Sequence, residues 1–239
     1  MTLPSGATHL RRVGAGDINE AFRLILGDGR EAFVKTRAAP GPDEYAAEAA
    51  GLIWLAEAGA IRTPAVLEVS VSYLALEPIE QGLLSAPGAE ELGRGLALTH
   101  AAGAAAFGRH EGAPAGPARL GALELPNEPA AHWPAFYAAC RLEPAARLAH
   151  GRGALTDRGM ALVERLCGRI DALAGPAEAP ARLHGDLWSD DVMADSGGRP
   201  WLIDPFAYGG HREVDLAMLR LFGGSYGASA ERAARRYAG

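Results

Sequence analysis

No apolar run in this sequence approaches the length needed to span a membrane, and the N-terminus has no signal-peptide pattern. These two absences predict a soluble, cytoplasmic protein. Cysteine is also scarce: Cys140 and Cys167 lie in helix-like segments without disulfide or metal-binding spacing, which predicts two reduced, buried side chains. The formal net charge of −6 argues against nucleic acid as the main partner.

Lysine is almost absent, because Lys35 is the single lysine beside 22 arginines. Lysine is a compact point charge on a thin stem, whereas arginine is a wide planar fork. A narrow phosphate-binding site would therefore require lysine where the rest of the chain uses arginine. Compositional drift that left one lysine by chance is the alternative interpretation.

The N-terminal residues alternate between short strands and turns that contain glycine. The pattern predicts a five-stranded antiparallel sheet, with strands over residues 9–13, 20–26, 30–36, 64–70 and 72–77. The glycine-rich segment GAGDIN, residues 14–19, joins the first two strands. Lys35 lies near the end of the third strand. Alone, GAGDIN is more typical of a simple hairpin turn than of phosphate binding, and only its position relative to Lys35 favours phosphate binding.

A helix is predicted over residues 42–58, between the third and fourth strands. Helical spacing places Glu48 beside Leu52 on the apolar side, where a carboxylate is costly without a partner. Lys35 is the expected partner. Two alternatives stay open: Glu48 lies at the edge of that face and reaches water, or Glu44 replaces it as the partner.

The remainder of the chain is predicted to be mainly helical, so the fold class is α+β. Helices are expected over residues 90–102, 133–149 with an interruption at Pro144, and 155–173. Residues 107–129 have no periodicity and predict a long loop. A division near Gly82 gives two domains, 1–82 and 83–239.

The most informative stretch lies late in the sequence. Two short apolar runs joined by a glycine-containing turn predict a β-hairpin, residues 192–195 and 200–203. Since antiparallel strands lie about 5 Å apart, Asp191 before the hairpin and Asp204 after it should meet, with Asp186 and Asp190 on the preceding loop. Several carboxylates repel one another unless a cation lies among them, and Mg²⁺ prefers such oxygen ligands. An ordinary hairpin with a solvated acidic end is the alternative.

Motifs in this stretch, together with one earlier in the chain, resemble those of the fructosamine (ketosamine) kinase family. That family is similar in fold to the protein kinases and aminoglycoside phosphotransferases. The motifs are LHGDLWS at 183–189, LIDP at 202–205, AYGGHREVDLAMLRLFGG at 207–224 and LGALELPN at 120–127. The resemblance implies a two-lobed protein-kinase-like fold with a small five-stranded N-lobe and a helical C-lobe. It also implies ATP and Mg²⁺ as cofactors and phosphorylation of a ketosamine, such as a fructosamine or ribulosamine, at the 3-hydroxyl, leading to deglycation.

The resemblance implies a role for each candidate residue. Asp186 would be the catalytic base or would orient the acceptor hydroxyl, Lys35 would bind the α and β phosphates, and Asp191 and Asp204 would hold Mg²⁺. The nucleotide site would also include the glycine-rich loop, the acidic partner of the lysine and the hinge between the lobes: Gly14, Gly16, Asp17, Asn19, Glu48, Glu77 and Ile79.

Four further expectations remain, and the first two follow from the resemblance. His184 would be a structural, hydrogen-bonded residue, and Asp215 would fix the catalytic loop, although helix capping alone would also explain Asp215. The loop 107–129 would line the pocket for a small-molecule or protein-bound ketosamine. A monomer is favoured.

Two departures from the family leave other functions open. The family usually has Ser-Gly-Asn where this chain has Ser189-Asp190-Asp191, and Asp191 adds a negative charge and cannot donate an amide hydrogen bond. Related chains usually continue for some tens of residues with C-terminal helices, so substrate contacts and activity are expected to be reduced. The alternatives are a kinase of another small alcohol, such as an aminoglycoside or choline, and a nucleotide-binding pseudokinase.

Overall fold

The computed structural model of this chain describes residues 3–15, 19–121, 123–221 and 227–238. Within these residues, the first third of the chain forms a five-stranded antiparallel sheet with one helix, and the remainder is mainly helical. This is the α+β, two-lobed arrangement that the sequence predicted. We call the sheet and its helix the small lobe, and the elements that follow the large lobe. Among the described residues, no helix is both long and apolar enough to cross a membrane.

The small lobe is built on a single sheet whose strands lie in the order β1-β2-β3-β5-β4. The strands are β1 Thr8–Ala15, β2 Glu20–Ile25, β3 Glu31–Thr36, β4 Val66–Val69 and β5 Tyr73–Leu76. Side chains alternate between the two faces of β3. Ala32 and Val34 are fully buried in the cluster on one face, whereas Phe33 packs toward the helix on the other. Lys35 therefore shares the helix-facing side of the sheet.

Helix α1, Glu44–Ala56, lies between β3 and β4 in sequence and packs on the sheet. Tyr45, Ala49 and Leu52 recur at helical spacing and are buried against β5. This spacing directs Glu48 toward the sheet, as expected. The helix is shorter than the predicted range 42–58 because the chain first makes a turn, in which the Glu44 amide donates to the Gly41 carbonyl at 3.3 Å.

The large lobe contains the remaining described elements. They are α2 Ala86–Ala101, β6 Ala118–Leu120, β7 Leu123–Leu125, α3 Trp133–Tyr137, α4 Glu143–Gly151, α5 Asp157–Cys167, α6 Ile170–Leu173, β8 Ala181–Leu183, β9 Val192–Ala194, β10 Pro200–Leu202, β11 Tyr208–Gly210, α7 Glu213–Leu221 and α8 Gly227–Ala238. A π-helical segment, Ala138–Leu142, joins α3 to α4, and a 3₁₀ turn, Ser189–Asp191, precedes β9.

Three predictions for the large lobe were wrong in detail. Helix α2 begins at Ala86 instead of Glu90, because the Ser85 hydroxyl accepts from the Gly88 amide and caps the helix. The predicted loop 107–129 contains the hairpin β6–β7, whose three-residue strands are too short to give a periodic signal. The helix over 133–149 is not interrupted at Pro144, which lies in the first turn of α4; the irregularity is the π-helical segment before it.

The predicted late hairpin is confirmed. Strands β9 and β10 pair antiparallel, with Val192 opposite Leu202. Both side chains are buried in a cluster with Leu92 and Leu96 of α2. A second short ladder, β8–β11, connects the segments on either side of the hairpin and places Leu183 opposite Tyr208. The residues between β8 and β9 are thus held at both ends against the large lobe.

Candidate active site

A cavity of about 1250 Å³ lies between the two lobes. Its wall includes strands of the small lobe, the connection between the lobes and the loops on both sides of the β9–β10 hairpin. Most of the predicted site residues lie in this wall: Asn19, Lys35, Glu48, Glu77, Ile79, Asp186, Asp191 and Asp204. Gly14 lies near the end of β1, opposite Ala21 of β2. Gly16 and Asp17 fall outside the described residues.

Lys35 joins the two lobes through a pair of carboxylates. Its ammonium donates to both oxygens of Glu48 on α1, at 3.0 and 3.1 Å, and to Asp204 Oδ1 of the large lobe at 2.8 Å. The Lys35 side chain is only 8% exposed, whereas that of Asp204 is 45% exposed. The lysine is therefore buried by the small lobe, and the acid from the large lobe faces the cavity.

The charge on Lys35 is stabilised by these neighbours. Burial lowers the pKa of the ammonium, but the negative charges of Glu48 and Asp204 and their hydrogen bonds outweigh that effect and raise the pKa above its ordinary value. Lys35 is thus a permanent cation at neutral pH. A rigidly held ammonium in a largely desolvated wall is suited to binding an anion.

Asp204 has an unusual backbone conformation, with φ of +54°. Residues other than glycine are uncommon in this left-handed region, and such strain is typical of functional sites. Hydrogen bonds to the preceding residue hold the conformation: the Ile203 amide donates to the Asp191 carbonyl at 3.1 Å, and His184 Nε2 donates to the Ile203 carbonyl at 2.8 Å. The loop before the hairpin therefore fixes the direction of Asp204.

The backbone conformation and close packing at position 185 require the glycine of the HGD motif. The φ of Gly185 is +85°, and a Cβ atom at this position would lie 2.0 Å from the carbonyl oxygen of Phe206. A side chain would force this loop away from the segment that carries Asp204. The glycine thus keeps Asp186, the next residue, close to the second half of the site.

Asp215 of α7 holds the same loop in place through hydrogen bonds to its backbone. Its fully buried carboxylate accepts from the His184 amide at 2.9 Å, from the Gly185 amide at 2.8 Å and from His100 Nε2 at 3.0 Å. His100 Nδ1 in turn forms a hydrogen bond with the Tyr237 hydroxyl at 2.8 Å. Burial alone would raise the pKa of Asp215, but the hydrogen bond and charge of His100 and the loop amides lower it. Asp215 is therefore ionised, and its contacts go well beyond helix capping.

The two carboxylates of the loop, Asp186 and Asp191, interact with Asp204 through their charges. Burial raises the pKa of Asp186, with further increases from the charges of Asp215 and Asp204. Asp191 is 7% exposed, and burial together with the charges of Asp204 and Asp186 raises its pKa to about 9. A cation would relieve this repulsion, so the donor set of Asp191 and Asp204 fits Mg²⁺.

The described residues contain no group of three or more His, Cys, Asp or Glu side chains arranged to hold a metal ion. Mg²⁺ commonly takes only one or two carboxylates from the protein and completes its coordination with phosphates and water. Two acids facing a cavity are consistent with that pattern. Asp190 is exposed and lines the same cavity, where its carboxylate accepts from the Ser189 hydroxyl at 3.2 Å.

The segment between the lobes presents backbone groups to the cavity. The Glu77 amide donates to the Ala65 carbonyl at 2.8 Å, so Glu77 can offer only its carbonyl to a ligand. Ile79 also lines the cavity, and its amide has no partner among the described residues. One carbonyl and one amide two residues apart match the donor and acceptor of an adenine edge.

A ring stack that no sequence pattern predicted joins the two lobes. Trp54 of α1 is stacked on His110 of the large lobe, with ring centroids 4.5 Å apart, and the Arg182 guanidinium lies 4.5 Å from the Trp54 ring. Arg182 also donates to the Trp54 carbonyl. Because α1 carries Glu48, this stack holds the partner of Lys35 in place. Its three members are far apart in sequence, which explains why no local pattern predicted it.

Comparison with known proteins agrees with this geometry. Residues 2–229 match the Fructosamine kinase family. A Thermus thermophilus protein named "Probable ketoamine kinase" is 40% identical over 214 residues, which cover 87% of this chain and 71% of the relative. The chloroplastic protein-ribulosamine 3-kinase of Oryza sativa subsp. japonica is 31% identical over 234 residues, covering 93% of this chain and 66% of the relative.

Solved structures extend the comparison from sequence to fold. A Thermobifida fusca protein, provisionally named fructosamine-3-kinase, superposes with a TM-score of 0.86 at 37% sequence identity. The superposition covers 97% of this chain and 78% of the other. The family match over nearly the whole sequence, together with the shared fold, shows that this chain belongs to the fructosamine kinase family.

Proposed function

We propose that this protein transfers the γ-phosphoryl group of ATP to the 3-hydroxyl of a ketosamine, such as a fructosamine or ribulosamine. The observation that carries the proposal is the bridge from Lys35 to Glu48 and Asp204 across the cavity. That arrangement matches the lysine, helix acid and metal-binding acid of a kinase nucleotide site and supports these roles for the three residues. The names of the relatives support the choice of acceptor.

The small lobe would hold the nucleotide. Lys35 would bind the α and β phosphates, with Glu48 keeping the ammonium in position. The Glu77 carbonyl and the Ile79 amide would contact the adenine edge. The loop with Gly14, Gly16, Asp17 and Asn19 would cover the phosphates. In support of an ordered loop end, Asn19 Oδ1 accepts from the hydroxyl of buried Tyr45 at 2.9 Å.

Asp191 and Asp204 are the residues that would hold Mg²⁺. When bound, the ion would neutralise phosphate charge as the γ-phosphoryl group leaves ADP. Asp191 replaces the asparagine that is usual in the family and can also serve as an oxygen ligand, with a negative charge that asparagine lacks. The strained φ of Asp204 and its hydrogen-bonded neighbour Ile203 support a precise placement of this ligand.

Asp186 would act on the acceptor. As the acceptor oxygen forms its bond to the γ-phosphorus and the bond from that phosphorus to the ADP oxygen breaks, the Asp186 carboxylate would take the hydroxyl proton. Gly185 and Asp215 support this role, because they hold the loop backbone at Asp186 through contacts that do not involve its side chain. Most of the rate enhancement in such chemistry comes from positioning and charge neutralisation.

Phosphorylation at the 3-hydroxyl would destabilise the ketosamine and release the amine, which is deglycation. Phosphorylation of another small alcohol, such as an aminoglycoside or choline, is the alternative within this class, and nucleotide binding without transfer is the alternative outside it. The domain division into residues 1–82 and 83–239, the monomeric state, the cytoplasmic location and the lack of a nucleic-acid partner stay predictions.

A transfer assay tests the proposal. Purified protein is mixed with Mg·ATP and a panel of glycated lysines, ribosylated lysines, aminoglycosides and choline, and ADP release is measured. We expect ADP release that depends on a ketosamine and falls at least about a hundredfold in Asp186→Asn. Asp157→Asn, whose side chain is 99% exposed, is the matched control and should retain wild-type activity.

Two outcomes would contradict the proposal. Release of ADP only with an aminoglycoside or choline would assign a different acceptor. Thermal stabilisation by ATP without ADP release on any acceptor would assign a nucleotide-binding pseudokinase.

A further inference from the structure

Arg141 is buried beside the cavity without an acidic partner. It lies in the π-helical segment between α3 and α4, and its guanidinium is surrounded by three aromatic rings, at 4.6 Å from Phe136, 5.0 Å from Phe206 and 4.2 Å from Tyr208. Among the described residues, no carboxylate forms an ion pair with it. A buried cation without a counter-charge is costly, and π-helical segments are frequent at functional sites.

The guanidinium fixes the orientation of the Asn127 side chain. Arg141 Nη1 donates to the carbonyls of Pro126 and Cys140 at 2.7 and 3.0 Å, and Nη2 donates to Asn127 Oδ1 at 2.7 Å. Because a guanidinium only donates hydrogen bonds, the amide oxygen must face Arg141, and the amide NH₂ must point away from it. Chemistry therefore decides the orientation of this carboxamide.

The Asn127 NH₂ group has no partner in the part of the chain that the structure describes. Asn127 is only 4% exposed and nevertheless forms part of the cavity wall. The Asn127 Nδ2 atom is not among the fully enclosed side-chain atoms that lack a partner, so it keeps access to the cavity. The NH₂ group is thus available to a molecule bound in the cavity.

Asn127 and the proposed base, Asp186, line the same cavity and are linked by contacts within the large lobe. Arg141 packs against Phe206, which lines the cavity two residues after Asp204. The Phe206 carbonyl in turn abuts Gly185, the residue before Asp186. This chain of contacts connects Asn127 to the proposed base through residues of the large lobe.

We propose that Asn127 is an acceptor-binding residue whose NH₂ group donates a hydrogen bond to a hydroxyl or carbonyl oxygen of the sugar, and that Arg141 is the residue that positions it. The inference rests on the proposed function for the identity of the acceptor. Donation from Arg141 to the amide oxygen polarises the carboxamide and strengthens its NH₂ as a donor. The aromatic rings keep the guanidinium in place without an acid that would compete for it.

Asn127→Asp is the most informative variant. It keeps an oxygen for Arg141 and the shape of the side chain, but it replaces the NH₂ donor with a carboxylate oxygen. We expect the acceptor KM to rise about tenfold, which corresponds to the loss of one hydrogen bond, while the ATP KM stays unchanged. Arg141→Lys should shift the acceptor KM in the same direction, because a lysine cannot make the same set of contacts. Asp157→Asn serves again as the control.

A set of deoxy acceptors distinguishes contact from a structural role. For the wild type, removal of the sugar oxygen that Asn127 contacts should lower kcat/KM about tenfold. In Asn127→Ala and Asn127→Asp, removal of that same oxygen should cause no further loss, whereas removal of other oxygens should lower kcat/KM as in the wild type. A merely structural asparagine would not single out one oxygen.

The outcomes separate this inference from the proposed function. Two results would overturn the role of Asn127. One is an acceptor KM in both Asn127 variants that equals that of the wild type. The other is a loss of kcat/KM that is the same in variant and wild type for every deoxy acceptor. If the wild type phosphorylates only a different alcohol, the proposed acceptor is wrong, and the same comparison with deoxy forms of that alcohol decides the role of Asn127. A wild type that phosphorylates no alcohol overturns both.

Discussion

Asp215→Asn tests how the structure holds the catalytic loop. The carboxylate of Asp215 is fully buried and accepts from two loop amides and from His100. An asparagine has one acceptor oxygen in place of two. If that oxygen keeps the His184 amide and His100, the NH₂ group faces the Gly185 amide, and this buried N–H is left without a partner.

The magnitude follows from these contacts. An orphaned buried amide costs about 1 to 3 kcal/mol, and each of the two remaining hydrogen bonds loses about 1 kcal/mol when its acceptor becomes neutral. We therefore expect the variant to lower the free energy of unfolding by about 4 kcal/mol. Since the loop at Gly185 and Asp186 is released, kcat should fall at least about tenfold, while ATP binding by the small lobe is largely kept.

The effect should depend on pH in a defined direction. The pKa of Asp215 is lowered in the folded protein, so its ionised form contributes stability that is complete above the unfolded pKa of about 4 and is lost as the pH falls through the folded value. The difference in unfolding free energy between wild type and variant should be constant from about pH 8 to pH 5 and narrow below about pH 4.

Urea unfolding followed by circular dichroism, at several pH values, measures this difference. Glu164→Gln, at an exposed acid of α5 whose carboxylate has no ion pair among the described residues, is the control and should lie within about 0.5 kcal/mol of the wild type. A difference below about 1 kcal/mol for Asp215→Asn at pH 7 would refute the reasoning, as would a difference that grows when the pH falls.

Three further variants test the lysine of the cavity, the proposed metal ligand and the ring stack between the lobes. Lys35→Arg should lower kcat/KM for ATP about a hundredfold in steady-state assays, because a wide fork cannot occupy the narrow position between Glu48 and Asp204; near-normal kinetics would contradict this. Asp191→Asn should raise the Mg²⁺ concentration for half-maximal activity about tenfold, since a charged ligand becomes neutral, and unchanged metal dependence would remove Asp191 from the site. Trp54→Leu should lower the unfolding free energy by about 2 to 4 kcal/mol through loss of the stack on His110, and a urea midpoint equal to that of the wild type would show that the stack is dispensable.

The parts of the site that the sequence predicted depend on regular local geometry. The helical spacing in α1 was enough to predict that Glu48 faces the sheet, with Lys35 as its expected partner, and the structure confirms this pair. The hairpin was predictable for the same reason, because its register brings the residues on either side of it together. In each case the regular spacing of apolar residues along a helix or strand determines which way the side chains point.

The contacts that the sequence did not predict join residues without a shared periodic element. The Trp54, His110 and Arg182 stack and the Arg141 and Asn127 pair depend on how loops and helices pack across the large lobe. The hairpin β6–β7 was missed because three-residue strands carry no measurable alternation. The sequence does contain one indication of Arg141, because this charged residue lies among the aromatic residues of the predicted helix over 133–149.

We propose that Lys35 and the acids around Asp204 bind a nucleotide whose γ-phosphoryl group is transferred to a ketosamine. The most direct measurement is a ³¹P and ¹H NMR analysis of the products formed from Mg·ATP and fructosyl-lysine. We expect ADP in an amount equal to the sugar ester phosphorylated at the 3-hydroxyl plus the lysine that is released when this ester breaks down, with none of these products formed by Asp186→Asn. Unmodified fructosyl-lysine, with ADP either absent or matched by free inorganic phosphate, would contradict the proposal.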